Sequence, residues 1–198
     1  MSLRIIAEAG VNHDGSLEKA LALVDAAAAS GATQVKFQSF KAAKIVSDRA
    51  PKASYQTART DAGESQLAML RRLELSEDAH RVLIARCAEK GIGFLSTPFD
   101  LESLDLLTGR FGLEEIKIGS GELTNAPLLY ALGQAQVRVI LSTGMATLAE
   151  IETALGVLGA GMTGRAPGRQ AFAEALRDSA VWQALRGVHP SPKRSRRA

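Results

Sequence analysis

Two lysines stand at the ends of short apolar segments, where a cation can hold a negatively charged ligand. Lys36 and Gln38 are two residues apart, so they share one face of a predicted strand. Lys117 repeats this arrangement in a later segment, and Glu8 lies on a neighbouring one. A buried ammonium without a partner is costly, so two inward lysines predict a ligand with both phosphate and carboxylate groups. Glu8 could also neutralise Lys36. A Schiff-base lysine and two solvent-facing lysines remain open alternatives.

Polar residues follow all five predicted strands of the chain. In parallel barrels the reacting groups gather at the C-terminal ends of the strands, so these residues are candidates for one site. The alternative is that they only mark where each strand stops. Gly119-Ser120-Gly121 and Ser142-Thr143-Gly144 also offer the backbone and hydroxyl donors that an anion needs. The candidates are Glu8, Lys36, Gln38, Ser96, Thr97, Lys117, Ser120, Glu122, Ser142 and Thr143.

The three histidines have no recognisable zinc spacing. His13, in the first strand-to-helix loop, could bind a metal or a substrate oxygen, or it could only order that loop. His80 and His189 are expected to be structural or solvated. Neither Gly119-Ser120-Gly121 nor Ser142-Thr143-Gly144 matches the nucleotide-binding motifs GxGxxG and GxxxxGK[ST].

Short apolar runs alternate with helical patterns along the chain, which predicts a parallel sheet with right-handed crossovers. Ser76 is a predicted N-cap, and Gly91 a predicted helix end. The predicted strands are 5–7, 34–38, 92–95, 115–118 and 137–141; the predicted helices are 16–30, 66–73, 77–90, 101–107, 127–133, 148–158 and 171–185.

The polar stretch 39–65 has no clear period and is either a loop that covers the substrate or a disordered segment. From Gly159 the helical pattern decays into a glycine-rich loop. Beyond Gly187 no apolar run remains, so a disordered end is expected.

The composition is that of a soluble globular protein, with 46% hydrophobic and 23% charged residues. The single cysteine, Cys87, argues against a disulfide framework. No apolar stretch is long enough for a membrane span, and no signal-peptide pattern is present, so a cytoplasmic location is expected. The last thirteen residues hold five Lys and Arg and no acid, leaving 19 basic and 21 acidic residues elsewhere. The tail could bind polyanions weakly, but a nucleic-acid partner is not expected.

Five blocks of sequence resemble, in order, those of the sialic acid synthase family, which includes N-acetylneuraminate, legionaminate and pseudaminate synthases. The resemblance covers roughly residues 3–164, and the five blocks together are far more specific than any one of them. They are EAGVNHDGS (8–16), VKFQSF (35–40), FLSTPFD (94–100), KIGSGELTNAPLL (117–129) and LSTGMATLAEI (141–151).

The resemblance implies an eight-stranded TIM-type barrel followed by a small domain, in a domain-swapped homodimer. It implies condensation of phosphoenolpyruvate with an N-acylmannosamine-type sugar and water, giving a nine-carbon 2-keto acid and phosphate. A divalent metal, Mn or Mg, would polarise the sugar aldehyde. Glu8 resembles an acid near the reacting carbons, and Glu122 a site acid of unassigned role. The residues resembling the phosphoenolpyruvate shell are Lys36, Gln38, Thr97, Lys117, Ser120 and Ser142.

The sequence departs from the family pattern after its fifth strand. We expect residues 1–164 to form an incomplete barrel domain and residues 165–198 a divergent, partly disordered basic tail. The family's metal-binding histidine blocks are not found, so no metal ligand is assigned in this chain. A frameshift or premature stop would explain the change, and the 198 residues alone are expected to be poorly active. The alternatives are a non-catalytic fragment or a Schiff-base aldolase on the same fold.

Overall fold

The structure is a computed structural model, and it describes residues 3–47 and 65–185. The chain divides into two compact units, Met1–Lys117 and Ile118–Ala198. Each unit is described by itself.

The described part of the first unit alternates strands and helices. The strands are β1 (Ile6–Gly10), β2 (Gln34–Ser39), β3 (Gly93–Pro98) and β4 (Glu115–Ile118), whose last residue belongs to the second unit. The helices are α1 (Leu17–Ala29), α2 (Ala42–Ile45), α3 (Gln66–Arg72), α4 (Glu77–Glu89) and α5 (Leu101–Asp105), and α5 continues into a π-helical turn (Leu106–Arg110).

The first sheet contains three parallel strands in the order β1-β2-β3. Its register places Glu8 opposite Lys36, and Gln38 opposite Thr97. β1 carries a bulge, because Glu8 pairs with Lys36 whereas Gly10 pairs with the next residue, Phe37. The residues of β1 before and after the bulge therefore differ by one residue in their register with β2.

The core of this unit lies between the sheet and the helices α1 and α4. Val35 and Phe37 alternate with polar neighbours along β2 and are fully buried. They form one cluster with Val24 of α1 and Leu83 of α4. One face of β2 therefore packs on helices, and the other carries Lys36 and Gln38.

Local signals set the helix ends much as the sequence predicts. Ser16 and Ser76 accept hydrogen bonds from the backbone N–H groups three residues on, at the starts of α1 and α4. Gly91, just after α4, has φ +70°, which is the left-handed conformation of a helix-ending glycine. The predicted N-cap Ser76 and the helix end at Gly91 are confirmed.

The described second unit is mainly helical. It contains a 3₁₀ turn (Ser120–Glu122), α6 (Ala126–Gln134), β5 (Arg138–Leu141), α7 (Leu148–Met162), α8 (Arg169–Ala175) and α9 (Ser179–Leu185). β5 and β4 form a two-stranded sheet. A Cβ on Gly133 would lie 2.3 Å from the Leu158 oxygen, and one on Gly161 would lie 2.3 Å from the Tyr130 oxygen. Only glycine therefore allows α6 and α7 to approach so closely.

Two helix predictions in this unit are wrong, and each has a local cause. The helix predicted to end at residue 158 runs to Met162, because Gly159 and Gly161 serve close packing rather than helix termination. The single helix predicted over 171–185 is two short helices. Asp178 lies between them and accepts a hydrogen bond from the Ala180 N–H, as an N-capping carboxylate does.

The predicted α/β class with parallel strands is confirmed. The strands described form a three-stranded and a two-stranded sheet rather than a closed barrel, so a TIM-type barrel remains a prediction. The irregular stretch predicted from residue 39 is partly wrong, since Ser39 ends β2 and Ala42–Ile45 is helical. Its remainder, 48–64, and the predicted disordered end beyond residue 185 lie outside the described residues. In the described ranges 3–47 and 65–185, no helix is both long enough and apolar enough to cross a membrane.

Candidate active site

β1 and β2 bring Glu8 and Lys36 together, as the sequence predicts. The two residues are opposite each other in the parallel ladder, and the Lys36 ammonium lies 2.7 Å from Glu8 Oε2. The Lys36 side chain is only 12% exposed, whereas that of Glu8 is 55% exposed. The lysine charge is thus held in a mostly buried position with its counter-ion toward solvent.

Lys117, on β4, belongs to the same electrostatic neighbourhood. Burial lowers the pKa of Lys117 below its ordinary value, and the Lys36 charge lowers it further, while Glu8 opposes both effects. The three predicted catalytic residues are therefore close enough to influence one another. Two lysines beside one carboxylate are an arrangement that suits an anionic ligand, which remains a prediction.

Gln38 and Thr97 extend this charged group toward the C-terminal ends of β2 and β3. They are opposite each other in the register, and Thr97 is 3% exposed. A Cβ on Gly10, which has φ +54°, would lie 3.1 Å from Glu8 Oε1 and 3.7 Å from Gln38 Nε2. Gly10 therefore leaves room for both side chains, and four candidates of the first unit share one face of its sheet.

The other candidates lie in the second unit. Ser120 begins the 3₁₀ turn, and Ser142 follows β5 and donates its N–H to the Ile118 oxygen at 3.0 Å. Glu122 accepts a hydrogen bond from the Asn125 amide at 2.8 Å, and Asn125 in turn caps α6. Their participation in a site with Lys36 and Lys117 remains a prediction.

The histidines of the described chain belong to the helix-packed side of the sheet. His13 is fully buried, and its Nδ1 accepts the Gly15 N–H at 3.1 Å, which supports the loop-ordering role. Burial lowers the pKa values of both His13 and His80. His80 Nε2 lies 2.7 Å from the Ser39 hydroxyl, in a buried cluster that sequence analysis did not identify.

The described residues do not fit a metal site. His13 Nε2 is buried without a hydrogen-bond partner in the described part of the chain. However, no group of three or more His, Cys, Asp or Glu that could hold a metal ion occurs in residues 3–47 and 65–185. No reaction step through a metal is therefore derived from these residues.

A parallel α/β sheet with an anion-attracting group at the C-terminal ends of its strands defines a class of small-molecule enzyme sites. The profile of the NeuB family matches residues 23–175, more than half of the chain. The chain belongs to the NeuB family, so the predicted relationship to sialic acid synthases is confirmed.

Two curated relatives carry the same name. An N,N'-diacetyllegionaminic acid synthase of Campylobacter jejuni is 55% identical over 154 residues, which cover 78% of this chain and 46% of that protein. A protein of the same name from Legionella pneumophila is 45% identical over 155 residues, or 78% of this chain and 43% of that protein. The chain thus spans less than half the length of these relatives.

A solved structure agrees with this relationship. The N-acetylneuraminic acid (sialic acid) synthetase of Leptospira borgpetersenii, in complex with citrate, superposes with a TM-score of 0.66 at 33% identity. The superposition covers 82% of this chain and 52% of that structure. The shared fold supports the parallel α/β assignment.

Proposed function

We propose that this chain carries the phosphoenolpyruvate-binding part of a sialic-acid-type synthase. The reaction would join phosphoenolpyruvate, an N-acylated amino sugar and water, giving a nine-carbon 2-keto sugar acid and phosphate. The observation that carries the proposal is the mutual proximity of Glu8, Lys36 and Lys117. The cytoplasm and a homodimer are part of the same proposal.

The charged group suits phosphoenolpyruvate because that ligand carries a phosphate and a carboxylate. Lys36 and Lys117 would hold these anions, and Gln38 and Thr97 would add neutral hydrogen bonds. The resemblance adds Ser120 and Ser142 to the residues that would bind phosphoenolpyruvate, while Glu122 has no defined step. The enol carbon would attack the sugar aldehyde, water would add to the cationic carbon, and phosphate would leave. The lysines stabilise the negative charge through these steps.

Glu8 would act beside the reacting carbons. Because it contacts Lys36 in the free protein, it would become available only after the ligand has bound. Before the ligand binds, Glu8 satisfies Lys36 at 2.7 Å. A bound phosphate or carboxylate would compete for that ammonium. Glu8 would then be released toward the reacting carbons as an acid or base.

The name shared by the two relatives supports a sugar with two N-acetyl groups. A product called N,N'-diacetyllegionaminic acid contains two acetylated nitrogens. Phosphoenolpyruvate contains no nitrogen and three carbons, so both acetamido groups and six carbons must come from the sugar. We therefore propose a diacetamido hexose as the first substrate to test, ahead of the N-acetylmannosamine type.

Loss of either lysine should abolish tight binding of phosphoenolpyruvate. We expect Lys36→Ala and Lys117→Ala each to weaken binding by on the order of 2–5 kcal/mol, because a fixed cation in a desolvated site is lost. Titration calorimetry with phosphoenolpyruvate measures the effect. Lys90→Ala is the matched control, since Lys90 lies 3.4 Å from Asp25 in an exposed ion pair. Unchanged affinity in a lysine variant would remove that lysine from the site.

Catalysis requires a separate assay. Phosphate release is measured with Mn²⁺, phosphoenolpyruvate and a panel of mono- and diacetamido hexoses, using the 198-residue chain. We expect little turnover from this chain alone; a rate of about 1 per second or more would contradict that expectation. Phosphate release at the same rate with and without the sugar would contradict the proposed condensation.

A Schiff-base aldolase is the second candidate, and the lowered pKa of Lys117 favours it. A lysine that loses its proton easily is a better amine nucleophile. Borohydride reduction in the presence of a keto acid would trap a covalent adduct on Lys117, seen by mass spectrometry. An adduct that Lys117→Arg abolishes would favour the aldolase over the synthase.

A further inference from the structure

A second polar group lies next to the candidate site in the first unit. Arg4 donates to Gln34 Oε1 at 2.6 Å and to Glu115 Oε2 at 2.5 Å. Gln34 Nε2 donates to the same Glu115 oxygen at 3.0 Å. We name Arg4, Gln34 and Glu115 the basal cluster. It joins the residues before β1 to the first residues of β2 and β4.

The carboxylate of the basal cluster is buried, whereas the Arg4 side chain is 50% exposed. Glu115 is only 8% exposed, and its hydrogen bond to Arg4 raises the pKa of that guanidinium. Gln34 lies opposite Gly93 of β3, where an added Cβ would be 2.9 Å from Gln34 Cγ. A Cβ at residue 93 would therefore displace the Gln34 side chain, whose amide donates to Glu115.

Two members of the basal cluster, Gln34 and Glu115, each lie two residues before one of the site lysines on the same strand. Gln34 precedes Lys36 by two residues on β2, and Glu115 precedes Lys117 by two residues on β4. Residues two apart point to the same face of a strand, about 7 Å from each other along it. The basal cluster therefore lies one layer before the lysines on both strands.

This side-chain bridge links two strands that are not neighbours in a described sheet. β2 pairs with β1 and β3, whereas β4 pairs with β5. The distance between Lys36 and Lys117 is thus not set by a backbone ladder between their strands. The hydrogen bond between Gln34 and Glu115 connects β2 and β4 directly.

We propose that Glu115 is a positioning residue for the phosphoenolpyruvate site. Through Gln34 and Arg4 it holds β4 where Lys117 faces Lys36 and Glu8. This inference rests on the proposed function. Glu115, two residues before Lys117, would thereby set the distance between the ammonium groups of Lys36 and Lys117.

Calorimetry separates the position of Glu115 from its charge. Glu115→Ala removes both hydrogen bonds and should weaken phosphoenolpyruvate binding about tenfold to a hundredfold, as misplacement of a site group does. Glu115→Gln keeps an oxygen that can accept from both Arg4 and Gln34, so its affinity should stay within about threefold of the unmodified chain. Equal losses in the two variants would contradict positioning.

A titration without ligand tests the inference independently of phosphoenolpyruvate. The pKa of Lys117 is followed by NMR in chain labelled at lysine, with Lys117→Arg used for assignment. Removal of a nearby negative charge alone would lower this pKa, whereas displacement of Lys117 into water would raise it. We expect a rise in Glu115→Ala and no rise in Glu115→Gln. An unchanged or lower pKa in Glu115→Ala would overturn the proposal.

Gly93→Ala is the second variant, in case Glu115→Ala does not fold. It leaves every charge in place but displaces Gln34, and it should also weaken binding and raise the Lys117 pKa. Gly168→Ala is its control, because an added Cβ there meets nothing within 4 Å.

The two experiments distinguish failure of the proposed function from failure of this inference. If the unmodified chain does not bind phosphoenolpyruvate while the Lys117 titration shifts as expected, the proposed function fails, and Glu115 still positions Lys117. Normal binding with no shift in either variant refutes the positioning role alone.

Discussion

Lys36 has a counter-charge within the protein before any ligand arrives. Its side chain is 12% exposed and pairs with Glu8, which remains open to solvent. Under the proposed function, an incoming phosphate or carboxylate would replace the Glu8 carboxylate as the partner of Lys36 instead of entering an unneutralised pocket. This arrangement keeps the desolvation cost of the lysine low in the free protein.

The residues of the site were partly predictable from spacing alone. The two-residue period placed Lys36 and Gln38 on one face, and the structure confirms that arrangement. The same period places Gln34 on the face of Lys36 and Glu115 on the face of Lys117, but it does not indicate their hydrogen bond, since the two residues are 81 apart in sequence. The spacing also gave no signal for the buried contacts of Ser39, which is 41 residues from His80 and 57 residues from Ser96 in sequence.

Cys87 should be nearly inert in the folded chain. It is 1% exposed, and burial raises the pKa of its thiol to about 11, so little thiolate is present or accessible. We expect its reaction with an aromatic disulfide reagent at pH 8 to be at least about a hundredfold slower than that of glutathione, becoming comparable in urea. Fast labelling of the native chain would contradict the buried position.

At the scale of elements, the contact between α6 and α7 depends on glycine. Gly161→Ala should destabilise the second unit by about 1–3 kcal/mol, because its Cβ would collide with the backbone of α6. Urea unfolding followed by the fluorescence of Trp182, the single tryptophan, measures this. Gly168→Ala serves as the matched control. Equal midpoints for the two variants would contradict the close approach.

His80 connects α4 to the ends of β2 and β3 and should make the first unit sensitive to acid. Burial lowers the pKa values of His80 and His13 in the folded state, with Lys41 acting in the same direction on His80 and Glu77 opposing it. The unfolded chain takes up protons below about pH 6.5, so stability is constant above that pH and falls below it.

We expect the urea midpoint, followed by circular dichroism, to fall between pH 7 and pH 5. The free energy of unfolding should drop by at most about 1.4 kcal/mol per pH unit for each histidine. Asp25, Glu77 and Glu150 have lowered pKa values and lose their contributions only at lower pH, outside this window. His80→Gln should be less stable at pH 7 but less sensitive to pH. A midpoint that rises on acidification would disprove this account.

The sequence patterns predicted the strands and the helix starts more accurately than the C-terminal ends of the helices. All five strands and the helix starts at Ser16 and Ser76 follow from local chemistry. The end of α7 did not, because a glycine inside a helix and a glycine after one look alike in sequence. Tertiary contacts decide between them: Gly159 packs against Val181, and Gly161 packs against Tyr130.

At the scale of the whole chain, the two units carry separate natural probes. Cys87 lies in the first unit and Trp182 in the second. We expect Gly161→Ala to shift the transition seen by tryptophan fluorescence and leave the urea dependence of Cys87 labelling in place. His80→Gln should do the reverse. Coincident shifts of both probes in both variants would show a single cooperative transition instead.

The bulge in β1 has a consequence for how this chain tolerates insertions and deletions. Glu8 is opposite Lys36, but Gly10 is already opposite Phe37, so Ala9 is an extra residue in the ladder. Deleting Ala9 would restore a regular ladder in which Gly10 stays opposite Phe37, and the local bend that the bulge gives β1 would be lost. Ala9 is also 2% exposed and belongs to the core cluster with Val35 and Phe37, so its removal would leave a gap in the core beside the loop. Deletion scanning should therefore show a sharp intolerance at Ala9, although alanine at this position contributes no reactive group.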